Sequence, residues 1–340
     1  MTRQAVSSAF DALPIDRSAQ AETIVAEGPV RRQISGTELS VHPLALGCSA
    51  FGWTATGEES LAILDEHHSL GGNFIDTADS FAAGRSEVII GSWLRSRGTR
   101  AETVLATKIG RNLDNPGLSQ RNIVGAVEAS LQRLGTDHID LLYLHYDDKF
   151  HRGDKAVALE ESLVAVDALV RAGKVRYLGA SNFSAERLIE ARVLSAVGLP
   201  KFVAVETPYN LVHRVELEKD VAVVARAQRL AVMPGFALAR GFLAGAFRTK
   251  ADVAGTARGQ LASVYLNRRS LRVLAVVDRI AAAFGAEPAS IALAWLLTRP
   301  DVVAPVAGAG RAEQVASLVA AATIRLGRSD LLDLDRVSAV

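Results

Sequence analysis

The sequence predicts a closed parallel α/β barrel, an (α/β)8 barrel of the TIM type. Short apolar runs typical of buried strands alternate along the chain with amphipathic runs typical of helices. The strands are predicted to begin near Leu44, Asn73, Thr103, Ile139, Val175, Phe202, Leu230 and Val302. Helices are predicted over residues 60–70, 86–95, 120–134, 160–172 and 185–197, among others. Strands that alternate with helices form a parallel sheet, and eight strands close such a sheet into a barrel.

Residues 31–340 are predicted to form this single barrel domain, and residues 1–30 an N-terminal extension. The first 30 residues are polar and small and lack a clear hydrophobic period. A short hairpin is expected over residues 32–41, with its turn at Ser35 and Gly36. A chain of 340 residues is long for one domain, but barrels of this class use this much chain.

The composition indicates an ordinary globular protein with a large core. Hydrophobic residues make up 49% of the chain and charged residues 22%, and the formal net charge is +1. This balance favours neither nucleic acid nor an anionic membrane as a partner. Cys48 is the single cysteine, so an internal disulfide is excluded and a reducing compartment is expected. The sequence shows neither a signal-peptide core nor a run of about 18 apolar residues, and we therefore expect a cytoplasmic protein.

A doubly wound nucleotide-binding fold is the structural alternative. Such a fold places a glycine-rich phosphate loop directly after its first strand. The first strand here leads into residues 47–52 (Gly-Cys-Ser-Ala-Phe-Gly), which lack that pattern. The other candidate, Gly308-Ala-Gly310, follows the last strand and has no third glycine in phase. The barrel is therefore the better prediction.

Three predicted strands end in an ionisable side chain. Asp76, Lys108 and His145 each stand at the carboxyl end of a different apolar run. The carboxyl ends of the strands meet at one face of a parallel barrel, and that face carries the active site in enzymes of this fold. The sequence therefore predicts a site that contains a carboxylate, an ammonium group and an imidazole.

Two loops after the last strands suit an anion. Residues 235–245 form a glycine-rich loop after the seventh strand, and residues 308–311 (Gly-Ala-Gly-Arg) open a helix after the eighth. Barrels commonly bind phosphate on these two loops. A helix N-terminus with an arginine is a suitable anion site. Together the loops favour a phosphate-bearing ligand over ordinary connections.

Several segments, in this order, resemble the aldo-keto reductases over about residues 34–325. They are residues 73–87 (Asn-Phe-Ile-Asp-Thr-Ala-Asp-Ser-Phe-Ala-Ala-Gly-Arg-Ser-Glu), 106–108 (Ala-Thr-Lys), 130–141 (Ser-Leu-Gln-Arg-Leu-Gly-Thr-Asp-His-Ile-Asp-Leu), His145, 173–182 (Gly-Lys-Val-Arg-Tyr-Leu-Gly-Ala-Ser-Asn) and 208–210 (Pro-Tyr-Asn). The resemblance implies an (α/β)8 barrel that binds NADPH without a Rossmann domain. It also implies hydride transfer from the nicotinamide to an aldehyde or ketone.

The resemblance assigns three of the four catalytic positions to matching residues. Asp76, Lys108 and His145 match, but the family's tyrosine falls on Phe81. In the family that tyrosine protonates the carbonyl oxygen, while the lysine lowers its pKa and the histidine orients the substrate. A positioned acid contributes about 10²–10⁴ in rate. A phenyl ring donates no proton, so the resemblance implies an atypical site in which another group replaces the acid.

The resemblance also implies a set of cofactor-binding residues. Ser181 and Asn182 match the pair at the nicotinamide carboxamide, whereas the family's glutamine falls on Glu206 and its stacking aromatic on Gly235, beside Phe236. A carboxylate accepts the carboxamide N–H but, if ionised, cannot donate to its oxygen. A family asparagine near the adenine falls on Leu318. The remaining positions are Leu238, Arg240, Gly241 and Leu243 on the pyrophosphate side, and Gly308, Arg311 and Gln314 around the 2′-phosphate, with Arg311 selecting NADP.

Structural interpretations stand beside these functional ones. Asp76 and Lys108 could form a buried ion pair, and His145 could be a hydrogen-bonded core histidine. His67 and His68 lie on a helix with no other ligand at metal spacing, so surface or interface histidines are expected rather than a metal site. Tyr146 points away from His145 by strand alternation and is an unlikely replacement acid.

Two further residues are candidates for substrate binding. Asp147 follows His145 at the active face and would contact a polar substrate or, with Asp148, cap its loop. Trp53 follows the first strand and would form a wall of the substrate pocket or simply pack there.

Three functions remain open from the sequence. The first is an NADPH-dependent oxidoreductase acting on a carbonyl or hydroxyl group, with His145, or a water held by Asp76 and Lys108, as the proton donor. The second is a lyase or isomerase in which Lys108 and His145 do proton chemistry on a sugar-like or polyol substrate. The third is a non-catalytic NADP-binding sensor or subunit. Phe81 and Glu206 favour the second more than the resemblance alone would.

Overall fold

The computed structural model describes residues 30–145 and 157–339, which form a nearly closed barrel of parallel strands. A hairpin of β1 (Arg32–Gln33) and β2 (Ser40–Val41) precedes it. The barrel strands are β3 (Ala45–Gly47), β4 (Phe74–Ala78), β5 (Val104–Ile109), β6 (Ile139–His145), β7 (Val175–Ser181), β8 (Phe202–Pro208), β9 (Ala231–Gly235) and β10 (Val306–Ala307). They pair in the order β10-β3-β4-β5-β6-β7-β8-β9, which confirms the predicted (α/β)8 barrel.

Helices connect the strands and cover the outside of the barrel. They are α1 (Gly57–Ser69), α2 (Arg85–Arg97), α3 (Gln120–Leu134), α4 (Leu159–Arg171), α5 (Ala185–Ala196), α6 (Ala222–Gln228), α7 (Lys250–Val253), α8 (Ala257–Ala262), α9 (Arg268–Phe284), α10 (Pro288–Leu297), α11 (Val315–Ala320) and α12 (Arg328–Ser338). The predicted helices are confirmed. Helix α1 begins earlier than expected because Thr56 and Glu59 cap its first turn reciprocally.

The last strand begins later than the sequence suggested. The prediction placed its start near Val302, but β10 occupies Val306–Ala307. Val302 instead forms a single parallel bridge to Val232 of β9, which closes the barrel. Pro305 separates the two pairings, and because proline has no N–H it interrupts a continuous ladder. Its carbonyl oxygen still accepts from the Ala45 N–H at 3.0 Å.

Two apolar layers hold the barrel together. The larger packs the outer faces of the strands against the helices. The smaller fills the interior and includes Phe74, Leu141 and Met233 together with hairpin residues Leu39 and Val41. The hairpin therefore closes the amino end of the barrel and leaves the carboxyl end as the face that opens to ligands.

In residues 30–145 and 157–339, no single helix is long and apolar enough to cross a membrane, and only α9 and α10 taken together, bent by 98°, have sufficient length and composition. The predicted extension over residues 1–30 lies almost entirely outside the described residues, so its boundary stays a prediction.

Candidate active site

Three charged side chains meet at the carboxyl end of the barrel. Asp76 comes from β4, Lys108 from β5 and Glu206 from β8. The Lys108 ammonium group donates to Asp76 and to Glu206 Oε2, the latter at 2.9 Å. The exposed fractions of these residues are 2%, 3% and 9%, so Glu206 is the outermost. One ammonium group is shared by two carboxylates, which leaves one negative charge in excess.

This excess charge changes the protonation of the cluster. Burial and then the Glu206 carboxylate raise the pKa of Asp76 to about 7, although Lys108 opposes the shift. Burial lowers the pKa of Lys108, but the two carboxylates outweigh burial and hold it above its ordinary value. At neutral pH the lysine is therefore charged, and Asp76 holds a proton for part of the time.

His145 ends β6 at the same face. Its side chain is buried, and burial together with the charges of Lys108 and Arg111 lowers its pKa to about 3. The imidazole is therefore neutral at pH 7. A neutral imidazole can orient a substrate oxygen through a hydrogen bond, but it has no readily released proton to give.

Phe81 opens a tight helical turn, Phe81–Gly84, directly after β4. Its ring centroid lies 5.8 Å from Lys108 Nζ, so the phenyl ring borders the ionic cluster. The residue is only partly buried and lines the open face. Phe81 therefore lies beside the cluster, as the sequence predicted, and its side chain has no group that donates a proton.

Tyr143 is a member of the site that the sequence interpretation missed. It precedes His145 by two residues on β6, and its ring centroid lies 5.5 Å from Lys108 Nζ. The ring occupies the space above Gly179, where a Cβ would lie 2.5 Å away. Its hydroxyl is buried without a hydrogen-bond partner among the described residues. Strand alternation was the available signal, because residues two apart on a strand share a face.

The residues predicted to hold the nicotinamide lie together beside Glu206. Ser181 ends β7 and is buried, and Asn182 follows with a left-handed backbone (φ 58°). The Asn182 N–H donates to the carbonyl oxygen of Glu206 at 2.8 Å. Gly235 lies opposite, where a Cβ would stand 3.3 Å from Glu206 Oε1. The missing aromatic side chain at this position therefore leaves the room that the Glu206 carboxylate occupies.

The loop after β9 presents an aromatic ring and an arginine. Phe236 is 48% exposed, and the Arg240 guanidinium stacks 4.9 Å from its ring centroid. Gly241 has a φ of 96°, which favours glycine. Leu238 and Leu243 are buried beneath the loop, so their side chains serve packing and only their backbone faces a ligand.

The loop after β10 is built tightly and leaves its arginine exposed. A Cβ at Gly308 would lie 2.3 Å from the Gly47 carbonyl oxygen, so only glycine fits there. Gln314 Oε1 accepts from the N–H groups of Gly310 (2.8 Å) and Arg311 (3.2 Å), which fixes the turn. The Arg311 side chain is 70% exposed, whereas Leu318 is buried in the core.

Comparisons with known proteins identify the family. The model of the Aldo/keto reductase family matches residues 43–339. The chain belongs to this family.

The chain is 30% identical to norsolorinic acid reductase B of Dothistroma septosporum over 89% of this chain and 80% of that protein. It is 32% identical to the uncharacterized oxidoreductase YrpG of Bacillus subtilis over 88% and 93%. It is 29% identical to the aldo-keto reductase yakc [NADP(+)] of Schizosaccharomyces pombe over 90% of each chain. These relatives support an oxidoreductase.

Backbone strain in this aldo-keto reductase is concentrated around the site. Eight described non-glycine residues have positive φ, and six of them lie on loops at the carboxyl end: Ala82, Ala83, Asn182, Phe236, Ala239 and Arg240. Each such conformation costs about 1–3 kcal/mol and persists only where the surroundings impose it. The loops that would hold a ligand are therefore set in shape before the ligand arrives.

Arg258 is a second residue that the sequence interpretation did not single out. It lies on α8, beyond the loop after β9, and its Nε donates to Thr54 Oγ1 at 3.2 Å on the loop after β3. Burial lowers its pKa, and no described carboxylate pairs with it. A partly buried arginine without a counter-ion, set between two loops at the mouth of the barrel, suits an anionic ligand.

The two predicted substrate residues have different outcomes. Trp53 is 50% exposed on the loop after β3, at the open face, where a substrate wall is possible. Asp147, with Tyr146 and Asp148, lies outside the described residues, so its predicted contact stays a prediction.

The expectation that His67 lies at the surface was wrong. It is 2% exposed and packs against His42, with ring centroids 6.4 Å apart. Its ring fills the space that a side chain at residue 72 would need, because a Cβ at Gly72 would lie 2.2 Å from it. His68 is partly exposed, as expected. In residues 30–145 and 157–339, no three His, Cys, Asp or Glu side chains form a metal-binding group.

Proposed function

We propose that this protein is an NADP(H)-dependent oxidoreductase that acts on a carbonyl or hydroxyl group of a small substrate. The observation that carries the proposal is the buried Asp76–Lys108–Glu206 cluster with the neutral His145 beside it, open towards the mouth of the barrel. Buried charges of this kind are costly to keep for packing alone, and strongly shifted pKa values cluster at functional sites.

The cofactor end of the site fits a phosphorylated dinucleotide. Arg258 is partly buried with no carboxylate partner among the described residues, and Arg311 is exposed on a turn fixed by Gln314. Two guanidinium groups on neighbouring loops suit two phosphate groups: Arg258 has no carboxylate partner in the part of the chain that the structure describes, and Arg311 is paired with Glu313, which is itself exposed, at 3.9 Å. Ser181 and Asn182 would hold the carboxamide. NADPH bound in this way supplies the hydride, while the residues of this chain orient the substrate and manage its proton.

The substrate is proposed to be a sugar-like molecule or a secondary metabolite. Norsolorinic acid reductase B, named for a secondary-metabolite substrate, is among the relatives. The open face offers a half-exposed Trp53 and Phe236 beside polar groups, which suits a ring that carries hydroxyl groups.

Titration with NADPH, followed by nicotinamide fluorescence, tests the cofactor assignment. Arg311→Ala should weaken NADPH binding about tenfold and leave NADH binding unchanged, because a charged hydrogen bond to the 2′-phosphate is worth about 1.5–3 kcal/mol. Arg258→Ala should weaken both cofactors, since both carry the pyrophosphate. Arg328→Ala, an exposed arginine at the start of α12, is the matched control. An absence of NADPH binding at about 100 μM, roughly −5 kcal/mol of affinity, would contradict the proposal.

A further inference from the structure

We propose that Glu206 is the acid and base of this site: its carboxyl group protonates the substrate oxygen during reduction and takes that proton back during oxidation. This inference rests on the proposed oxidoreductase function and supplies the proton donor that Phe81 lacks.

Three departures from the family pattern meet at one point. Phe81 removes the phenol beside Lys108, and Glu206 brings a carboxylate to 2.9 Å from the same ammonium group. Gly235 removes the side chain that would crowd Glu206 Oε1, since even a Cβ there would lie 3.3 Å from that atom. The family's phenol is absent at Phe81, and the Glu206 carboxylate lies within hydrogen-bonding distance of the same lysine. The glycine at residue 235 leaves room for that carboxylate. A coordinated replacement accounts for all three.

Glu206 is the member of the cluster that can reach a substrate. Its side chain is 12% exposed, whereas those of Asp76 and Lys108 are 2% and 3% exposed. Oε2 is held by the lysine, and Oε1 faces Gly235 near the proposed nicotinamide position. A proton donor must lie beside the carbon that receives the hydride, and Glu206 stands next to Ser181 and Asn182, which would hold that ring.

The cluster also contains a proton to give near neutral pH. Asp76 and Glu206 share Lys108, and burial with mutual repulsion raises the pKa of Asp76 to about 7. A proton held by Asp76 can pass to Glu206, because the two carboxyl groups hydrogen-bond each other. General acids work best when a proton is available close to the working pH, and Asp76, with a pKa of about 7, can hold such a proton.

The other ionisable groups that face Glu206 are poorer donors. Lys108 holds its protons tightly between two carboxylates, and the imidazole of His145 is neutral. Burial and the two carboxylates raise the pKa of Tyr143 well above its ordinary value, and its hydroxyl is fully buried. Burial and Asp76 likewise raise the pKa of the Cys48 thiol, which is fully buried and donates to the Leu46 carbonyl oxygen at 3.4 Å.

Atoms and electrons are conserved in the proposed proton transfer and reduction. NADPH held by Ser181, Asn182 and the two arginines would supply a hydride to the substrate carbonyl carbon, and Glu206 would give its proton to the carbonyl oxygen as the C=O π pair becomes an O–H bond. NADP⁺, an alcohol and the Glu206 carboxylate remain. A proton held by Asp76 can then pass to Glu206, and solvent returns one proton to the carboxyl pair. Oxidation runs the same exchange in reverse, with the carboxylate as the base.

A double-mutant cycle of Glu206→Gln and Phe81→Tyr tests the assignment. Glu206→Gln restores the family's residue, yet it should lower the rate of NADPH oxidation with aldehydes by about 100-fold, the typical contribution of a positioned acid. In that variant Phe81→Tyr should recover most of the loss, because a phenol then stands beside a lysine paired only with Asp76. In the unmodified chain Phe81→Tyr should add much less. Glu102→Gln, at the amino end of the barrel, is the matched carboxylate control.

A pH series distinguishes a proton donor from a structural counter-ion. The single-turnover rate of reduction should fall as pH rises through about 7, and the rate of oxidation should rise over the same interval. Both dependences should disappear in Glu206→Gln. Glu102→Gln should leave both the rate and its pH dependence unchanged.

Infrared difference spectra of the cofactor-free protein give a readout that needs no substrate. A protonated carboxyl band should be lost as pH rises through about 7, and Asp76→Asn and Glu206→Gln should each remove that titration.

The results of these experiments distinguish failure of the Glu206 assignment from failure of the proposed oxidoreductase function. If NADPH does not bind, the oxidoreductase proposal fails. If NADPH binds but Glu206→Gln keeps the rate and the pH profile, only the role of Glu206 fails. Activity confined to the double variant, or the absence of a neutral carboxyl titration, would each overturn the assignment to Glu206.

Discussion

The two ends of the barrel each bury a carboxylate at a strand, but they neutralise it differently. At the amino end, Asp140 of β6 forms an ion pair with Arg100 at 2.9 Å and accepts from Arg176 at 2.7 Å and from the Leu105 N–H at 2.9 Å. At the carboxyl end, Asp76 has a single ammonium group and shares it with Glu206. Asp140 therefore has two cations beside one carboxylate, whereas Asp76 shares one cation with a second carboxylate.

This difference separates stability from chemistry. A buried carboxylate that is paired with two arginines holds neighbouring strands in register, which suits the closed end of the barrel. An underpaired carboxylate costs stability at neutral pH, because burial and repulsion favour its protonated form. That cost is accepted where a proton must be exchanged, as the stability of active sites is generally compromised by function.

Removal of Lys108 should produce the largest effect at either end. Lys108→Met leaves Asp76 and Glu206 buried without a cation, and we expect a loss of about 3–5 kcal/mol in the free energy of unfolding at pH 8. The deficit should shrink as pH falls, because both carboxyl groups then become neutral. Arg100→Met should cost less, since Arg176 and the Leu105 N–H remain. Urea denaturation at several pH values measures both, and a Lys108→Met deficit that does not vary with pH would contradict this account.

Neutralising one carboxylate at each end should give effects of opposite sign. Asp140→Asn breaks paired contacts to two arginines and should cost about 2–3 kcal/mol, with no change in NADPH affinity. Asp76→Asn should leave stability equal or higher at pH 8. The pKa of Asp76 is raised on folding, so its contribution is complete below about pH 4 and is lost as pH rises through about 7. The asparagine variant escapes that loss. Destabilisation by both substitutions at pH 8 would remove the contrast.

Buried histidines at the amino end should limit stability in acid. Burial, first of all, lowers the pKa of His67 to about 3 and that of His42 to about 4. A base whose pKa is lowered on folding contributes stability above its unfolded pKa, near 6.5, and loses it as pH falls. His67→Leu should remove about 2 kcal/mol of the loss between pH 7 and pH 5. Thermal melts across this range measure it, and a variant with the same acid slope as the unmodified chain would refute the assignment.

Much of the fold followed from the sequence because its signals are local. The alternation of apolar runs with amphipathic runs predicted the order of the elements, and strand ends placed Asp76, Lys108 and His145 at one face. The position of β10 was less accurate, since two valines suit a strand equally at 302 and 306 and only barrel closure chooses between them.

The sequence predicted the face of the barrel at which the site residues lie, but not which of their side chains contact each other. The sequence assigned Glu206 to the cofactor, whereas the structure shows its carboxylate on Lys108, 98 residues away in the chain. Such pairing depends on side-chain direction across the barrel, which no local pattern reports. The prediction that His67 is exposed was wrong for the same reason. The space at Gly72 that admits its ring is formed only when the chain packs in the folded state.

The smallest expected effect is the most specific test of how the carboxyl end is tuned. Gly235 has an ordinary backbone that alanine can adopt, but an added Cβ would lie 3.3 Å from Glu206 Oε1. Gly235→Ala should therefore change stability by less than about 1 kcal/mol, since the carboxylate can shift by a few tenths of an ångström. The same shift should lower the reduction rate several-fold, because small displacements of a reacting group are costly in catalysis. Gly179→Ala, whose Cβ would lie 2.5 Å from the buried Tyr143 ring, is the contrasting control, with a clear loss of stability. An unchanged rate in Gly235→Ala would mean that the position of Glu206 does not matter to the reaction.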